Sequence, residues 1–244
     1  MILPAICDYS FLKSYERLLR HDGNLIVYDL TSYQNLWEVA LPARSPTPLA
    51  ANTELVILGA KTDLRINDLK DGRLLNTKTY DASSIWDIAL SESNVFVNYA
   101  KEGGDESISS LRLDSLDENW VFHAGEYTAP NLSLAGDHLS LFNKALILLD
   151  SNTGNVVWRD DSQKYYSEPA FHGNNLFFIS VQLMFDNNKE MCKVEIREDT
   201  IKDCSLVDST GRLVTAQSYL LGPLATNDVL IVPQDSTIAA FTIP

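Results

Sequence analysis

Apolar residues in this chain fall in short runs of about five to seven, separated by polar turns, and a sustained 3.6-residue period is almost absent. The runs are rich in β-branched and aromatic residues, which fit a pleated, half-buried surface, and their length is that of ordinary strands. The turns are rich in Asn, Asp, Gly and Ser, which supply the backbone conformations that tight hairpins require. The exception is Tyr9 to Arg20, where Phe11, Leu12, Tyr15, Leu18 and Leu19 would share a helical face. That stretch is either a short helix or a poorly patterned strand pair.

Two kinds of hairpin alternate. The first is an apolar strand ending in Asp, a turn, and a second strand carrying Trp. Its fullest copy is Ala145-Leu146-Ile147-Leu148-Leu149-Asp150, then Ser151-Asn152-Thr153-Gly154, then Asn155-Val156-Val157-Trp158. Weaker copies are Leu25–Asp29 with Leu36-Trp37-Glu38-Val39, Leu64–Asp68 with Leu74-Leu75, and Leu111-Arg112-Leu113-Asp114 with Trp120-Val121-Phe122. A degraded copy spans about Lys193 to Val214, and Thr237–Ile243 is a last half-copy. The second kind has a small or proline-containing entry and then two strands. Examples are Pro46–Ala50 with Leu55–Leu58, Pro130–Leu134 with Leu139–Phe142, Pro169–Phe171 with Leu176–Ile179, and Pro223–Ala225 with Val229–Val232. Ile85–Leu90 with Val95–Val97 fills the remaining gap.

One hairpin of each kind makes a four-stranded unit, and such a sheet repeated about every 40 residues is the signature of a β-propeller blade, the architecture of WD40 repeats among others. The expected fold is therefore all-β, a single β-propeller of four-stranded blades over residues 1–244. Six blades of about 41 residues account for the length; five remain open if residues 1–20 form a cap or partial blade. Closure hides exposed strand edges. The half-copy Thr237–Ile243 is thus expected to share a blade with amino-terminal residues, closing the ring by mixing the termini.

The copies resemble the repeat of the PQQ-like, quinoprotein alcohol dehydrogenase-like propeller superfamily. That pattern is a strand ending in A-x-D, then x-x-T-G, then a strand ending in Trp. Leu148-Leu149-Asp150-Ser151-Asn152-Thr153-Gly154 with Trp158 matches it best, with Leu148 in place of Ala. The resemblance covers most of residues 24–244 in weakened form. It implies that Trp37, Trp120 and Trp158 dock one blade on the next. A Trp buries a large area and its indole N–H can reach a neighbouring carbonyl. It does not imply bound quinone: no vicinal Cys pair and no cofactor-contacting set is recognisable, so no cofactor is expected. Trp86 lies off this register, in the second kind of hairpin, where it would line the channel or one face.

Composition narrows the partner. Net charge is -14, with 33 acidic and 19 basic residues. Phosphate binding needs clustered Lys and Arg, so nucleic acid and anionic membrane surfaces are disfavoured, and a basic protein would be steered in. No run approaches the roughly 18–20 apolar residues that span a bilayer. Residues 1–8 lack the basic and apolar regions of a secretory signal. This places the chain in the cytoplasm, or outside it if its export signal lies beyond the sequence given. The three cysteines, Cys7, Cys192 and Cys204, show no metal spacing. Cys192 and Cys204 could face each other across a hairpin, joined or as free thiols.

No catalytic motif appears, whether G-x-S-x-G, P-loop or G-x-G-x-x-G. Asp150-x-Asn152-x-Gly154 reads as a turn, because it is too short for a calcium loop and lacks the later carboxylate. His21, His123, His138 and His172 are unpaired at metal spacing. The expectation is a non-catalytic, acidic protein-binding module, in its specific form a cytoplasmic neutraliser of immunity type that caps a basic partner. The candidate contacts lie in three irregular connections: Glu102, Asp105 and Glu106; Asp160, Asp161, Tyr165 and Tyr166; and Asp186; Trp86 joins them. Two alternatives stand beside it. One is a hydrolase acting on a glycan with carboxylates converging on the channel, the other an assembly scaffold outside the cytoplasm.

Overall fold

The computed structural model describes residues 9–11, 17–21, 24–29, 32, 34–40, 48–101, 103–126, 131–142, 144–160, 164–181, 189–196, 201–204, 223–226, 229–233 and 238–242. These residues form strands and turns, with no helix among them. Tyr9 to Arg20 resolves in favour of strands, β1 (Tyr9–Phe11) pairing with β2 (Arg17–His21).

Six antiparallel sheets follow one another along the chain. Sheet one orders β1, β2, β3 (Asn24–Asp29) and β4 (Asn35–Ala40). Sheet two is β5 (Leu49–Ala51), β6 (Leu55–Ala60), β7 (Asp63–Asp68) and β8 (Leu74–Thr79). Sheet three is β9 (Ser84–Leu90), β10 (Asn94–Ala100), β11 (Asp105–Arg112) and β12 (Glu118–Glu126). Sheet four is β13 (Asn131–Ala135), β14 (His138–Phe142), β15 (Leu146–Asp150) and β16 (Val156–Asp160). In sheet five, β17 (Tyr165–Tyr166) and β18 (Ala170–His172) both pair with β19 (Asn175–Val181), followed by β20 (Lys189–Glu195) and β21 (Ile201–Asp203). Sheet six is β22 (Leu224–Thr226), β23 (Val229–Pro233) and β24 (Ile238–Thr242). Each sheet but the fifth is a simple meander, so neighbours in sequence are neighbours in space; in the fifth β17 and β18 together take the first-strand place beside β19. The split first strand of sheet five falls at Pro169, which has no N–H for the ladder. Ser167 bridges the gap, donating its N–H to the Ile179 carbonyl at 2.9 Å and accepting from Ile179 N at 3.0 Å through Oγ.

The chain divides into two compact units, residues 1–127 and 128–244, with three sheets each. Within each unit the faces of successive sheets bury one another. In the first, Leu25 and Val27 of sheet one pack with Val56, Leu58 and Ala60 of sheet two. Ile57, Leu64 and Ile66 of sheet two pack with Ile85, Val95, Val97 and Leu111 of sheet three. In the second, Phe142 and Leu146 of sheet four meet Leu176, Phe178 and Val194 of sheet five, while Phe177 and Ile179 of sheet five meet Leu230, Val232 and Phe241 of sheet six. A sheet covered on both faces needs central strands apolar on both sides, which is why β6, β10 and β19 are near-continuous apolar runs. The outer strands β4 and β8 alternate instead. Gly59 on β6 permits a close approach, since a Cβ there would stand 2.7 Å from Ile85 Cγ2 on β9.

One register read from the sequence needs correction. In sheet three the turn starts two residues earlier than the Asp114 register implies. β11 ends at Arg112, whose N–H bonds the Asp117 carbonyl at 2.9 Å, just as Asp68 bonds Arg73 and Asp150 bonds Asn155. Arg112 therefore holds the position of the repeat Asp. Leu116, at φ 61 and buried, holds that of Gly72 and Gly154. Of the two states open to Cys192 and Cys204, the structure has them joined, with Cα atoms 4.0 Å apart. They continue the β20–β21 register, in which Lys193 faces Asp203. The sequence expects the half-copy Thr237–Ile243 to share a blade with amino-terminal residues; among the described residues β24 pairs with β23, and β1 and β2 pair within sheet one, while residues 1–8 lie outside the described residues.

Candidate functional site

The tryptophans of the repeat are placed by a recurring backbone device. In sheets one to four the ladder between the third and fourth strands slips by one residue. The extra residue is Leu36, Leu75, Asn119 or Val157, and the next residue is Trp37, Asn76, Trp120 or Trp158. A bulge bends its strand and re-aims the side chain beside it. Trp37 turns toward sheet two, where its Nε1–H donates to the Leu69 carbonyl at 2.8 Å. Its ring covers Gly72, so that a Cβ there would lie 2.7 Å from Trp37 Cε3. Trp158 of sheet four packs on Phe178 of sheet five, with ring centroids 6.2 Å apart. Trp120 lies 5.9 Å from Phe96 on β10 of its own sheet. All four bulge residues, Leu36, Leu75, Asn119 and Val157, stay exposed.

Trp86 is different in kind. It sits on β9, the edge strand of sheet three opposite the Trp120 strand. Here too the register slips: Asp87 faces Asn98, Ile85 faces Tyr99, and Trp86 is the residue between. Ile85 and Ile88 enter the core, and Trp86 is thrown outward, 56% exposed. The same end of the sheet carries exposed Asp105, opposite Glu126. His123, also exposed, has Nδ1 3.1 Å from Ser107 Oγ.

The other candidate contacts divide. β10 and β11 are joined closely, with Lys101 N–H on the Asp105 carbonyl at 2.9 Å and Gly104 N–H on the Lys101 carbonyl at 3.1 Å. Asp105 and Glu106 belong to β11. Glu106 is buried, because a central strand is covered by both neighbours and by packing on its faces. Asp160 is likewise buried at the end of β16, and Tyr166 is a core residue with its ring 5.8 Å from Phe178. Tyr165 is half-buried on β17. Glu102, Asp161 and Asp186 lie outside the described residues.

The Asp-led turns are structural. Asp150 Oδ1 accepts from Thr153 N at 2.8 Å, Thr153 Oγ1 at 2.9 Å and Asn152 N at 3.0 Å. Burial opposes the charge, yet the bonds from Thr153 and Asn152 outweigh it and hold the carboxyl below its ordinary value. The hydrogen bond and charge of Arg112 lower Asp114 in the same way, at 2.7 Å through Nη2. These carboxyls are held down, whereas the acid of a glycosidase must be raised. The Arg112–Asp114 pair borders an open cleft of about 440 Å³ with Leu55, Glu92, Ser93, Asn94 and Leu113. Inside sheet three, the Tyr80 hydroxyl meets Ser109 Oγ at 2.7 Å, and burial pushes its ionisation well above the ordinary tyrosine value.

Known proteins resemble this chain in fold. A computationally designed protein, Ika8, superimposes with a TM-score of 0.71 at 16% identity, covering 96% of this chain and 70% of its own. BamB from Moraxella catarrhalis, a PQQ-like propeller, gives 0.62 at 13% identity, covering 93% and 69%. A WD40 propeller in the mitotic checkpoint complex gives 0.70 at 11% identity, covering 96% and 73%. No protein-family pattern matches the chain. No curated protein does. At these identities the likeness establishes the fold alone: the chain is an all-β propeller of predominantly four-stranded sheets. Among the described residues no helix is long and apolar enough to cross a membrane.

Proposed function

We propose that this propeller, one domain with a degenerate PQQ-like repeat, is a non-catalytic module that binds a basic protein. The observation that carries the reading is Trp86. A bulge on an edge strand directs a large aromatic to solvent, and tryptophan is enriched among the residues that dominate binding energy at interfaces. The charge of -14 supplies long-range attraction for a basic partner. The fold also occurs in a component of a multiprotein checkpoint complex. In its most specific form the module is a cytoplasmic neutraliser that caps a basic toxin; an exported assembly scaffold is the competing form.

The test is capture from the native cell by the tagged chain, with the bound proteins identified by mass spectrometry. The reading expects one stoichiometric basic protein, held at low salt, shed at high salt and lost from Trp86→Ala. Turnover of a glycan panel that stops when one exposed Asp or Glu is changed would overturn it, as would capture indifferent to both salt and Trp86.

A further inference from the structure

Sheet five holds a cluster that the binding role does not use. Glu190 and Cys192 lie two apart on β20, so their side chains leave the same face of the strand. Cys204 follows β21 on the adjoining strand. One carboxylate oxygen of Glu190 and the two sulfur atoms lie within 4.8 Å of one another. The Ser180 hydroxyl stands 3.5 Å from Cys192 Sγ and 3.4 Å from Glu190 Oε2. Lys164 Nζ is 2.6 Å from the same carboxylate.

We propose that, when the disulfide is reduced, Glu190, Cys192 and Cys204 form a binding site for a soft divalent cation, zinc being the fitting ion. Two thiolates and a carboxylate are a zinc donor set. With Zn–S about 2.3 Å and Zn–O about 2.0–2.2 Å, tetrahedral donors stand about 3.5–3.8 Å apart, inside the observed spread. Ser180 or a water would take the fourth position. Charge balance also favours it. Zinc with two thiolates and one carboxylate carries a net single negative charge, which the Lys164 ammonium offsets. Cys192 and Ser180 are fully buried, and Cys192 packs with Phe178, Leu176 and Val194. This excludes water from the sulfur side and strengthens the metal–thiolate attraction. Cys204 is only partly buried and Glu190 is exposed, which leaves a way in.

The chemistry balances in two steps. A dithiol reductant supplies two electrons and two protons, breaks the S–S bond and becomes a disulfide itself, leaving two cysteine thiols. Zinc then displaces the two thiol protons, so metal uptake releases protons and strengthens as pH rises. Disulfide and metal are mutually exclusive states of one site.

The test uses the full chain, oxidised or reduced with a phosphine under anaerobic conditions, titrated with zinc against a chromophoric chelator. The expected result is one zinc per reduced chain and none per oxidised chain. Cobalt in place of zinc should give a near-ultraviolet thiolate charge-transfer band in the reduced wild-type chain, a readout that needs no variant. Glu190→Gln, an exposed change that spares the core, should weaken zinc binding by at least about 10–100-fold, since even a partner outside the ligand shell is worth that much. Cys192→Ser/Cys204→Ser should abolish both signals. A reduced chain that takes up no more zinc than the oxidised one, or zinc binding that survives the double cysteine change, would show the pair to be a structural disulfide only.

Discussion

Replacing Gly72 by Ala tests the contact that joins sheet one to sheet two. Two costs combine. Gly72 has φ +75, in the left-handed region, where an L-residue costs roughly 1–2 kcal/mol. The new Cβ would also stand 2.7 Å from Trp37 Cε3 and 2.9 Å from Cδ2. The ring is rigid and anchored by its bond to Leu69, so it must shift, weakening that bond by up to about 1 kcal/mol. The total is about 2–3 kcal/mol. Trp37→Ala removes the ring itself. Full burial would make that about 3–5 kcal/mol; with Trp37 half-buried, about 2–3 is expected. In the Trp37→Ala background the clash is gone, and Gly72→Ala should then cost only the backbone term. A double-mutant cycle by urea denaturation, followed by circular dichroism, should therefore show the two changes to be less than additive by about 1 kcal/mol, outside the roughly 0.3–0.5 kcal/mol scatter of independent sites. Melting temperatures should move in step, by about 2–4 °C per kcal/mol at this length. Strict additivity would refute the claim that Trp37 rests on Gly72.

Three further outcomes follow from the geometry. Asp150→Ala should destabilise by about 1–2 kcal/mol at neutral pH, because it removes the acceptor of three turn hydrogen bonds. The folded carboxyl is held below its unfolded value, so this contribution is complete above the unfolded pKa and fades as pH falls through the folded one; wild-type and variant melting curves should converge in acid. Tyr80→Phe should cost about 1 kcal/mol, the net worth of one buried hydrogen bond, read by denaturant unfolding. Its raised ionisation makes that tyrosine stabilising below the unfolded pKa and destabilising as pH climbs toward the folded value, so the variant should lose less stability in alkali than the wild type. Trp86→Ala should leave stability within about 0.5 kcal/mol, as surface changes do, while reducing partner retention at least about tenfold.

The strands, their alternation, the four-stranded repeat and the acidic charge are legible in the order of residues alone. All of these rest on short-range rules: alternation of apolar residues, turn chemistry over four or five positions, and a simple sum of ionisable groups. The true register of sheet three is legible there too. Asp29 to Trp37, Asp68 to Asn76 and Asp150 to Trp158 share a spacing of eight residues, and that spacing puts Arg112, not Asp114, at the start of the turn before Trp120. Asp114 is the residue type of the repeat at the wrong distance.

Burial and side-chain direction follow from packing between strands distant in sequence. Glu106, Asp160 and Tyr166 look like surface chemistry in the sequence, but Glu106 lies on the inner strand β11, Asp160 is buried at the end of β16, and Tyr166 packs on Phe178. The bulges before Trp37, Trp120 and Trp158, and the one that exposes Trp86, leave no mark in composition. A bulge is a mismatch between two paired strands, and one strand's sequence does not record its partner's register. That Cys192 and Cys204 could face each other is legible in the sequence; their bond and the approach of Glu190 follow from the β20–β21 register.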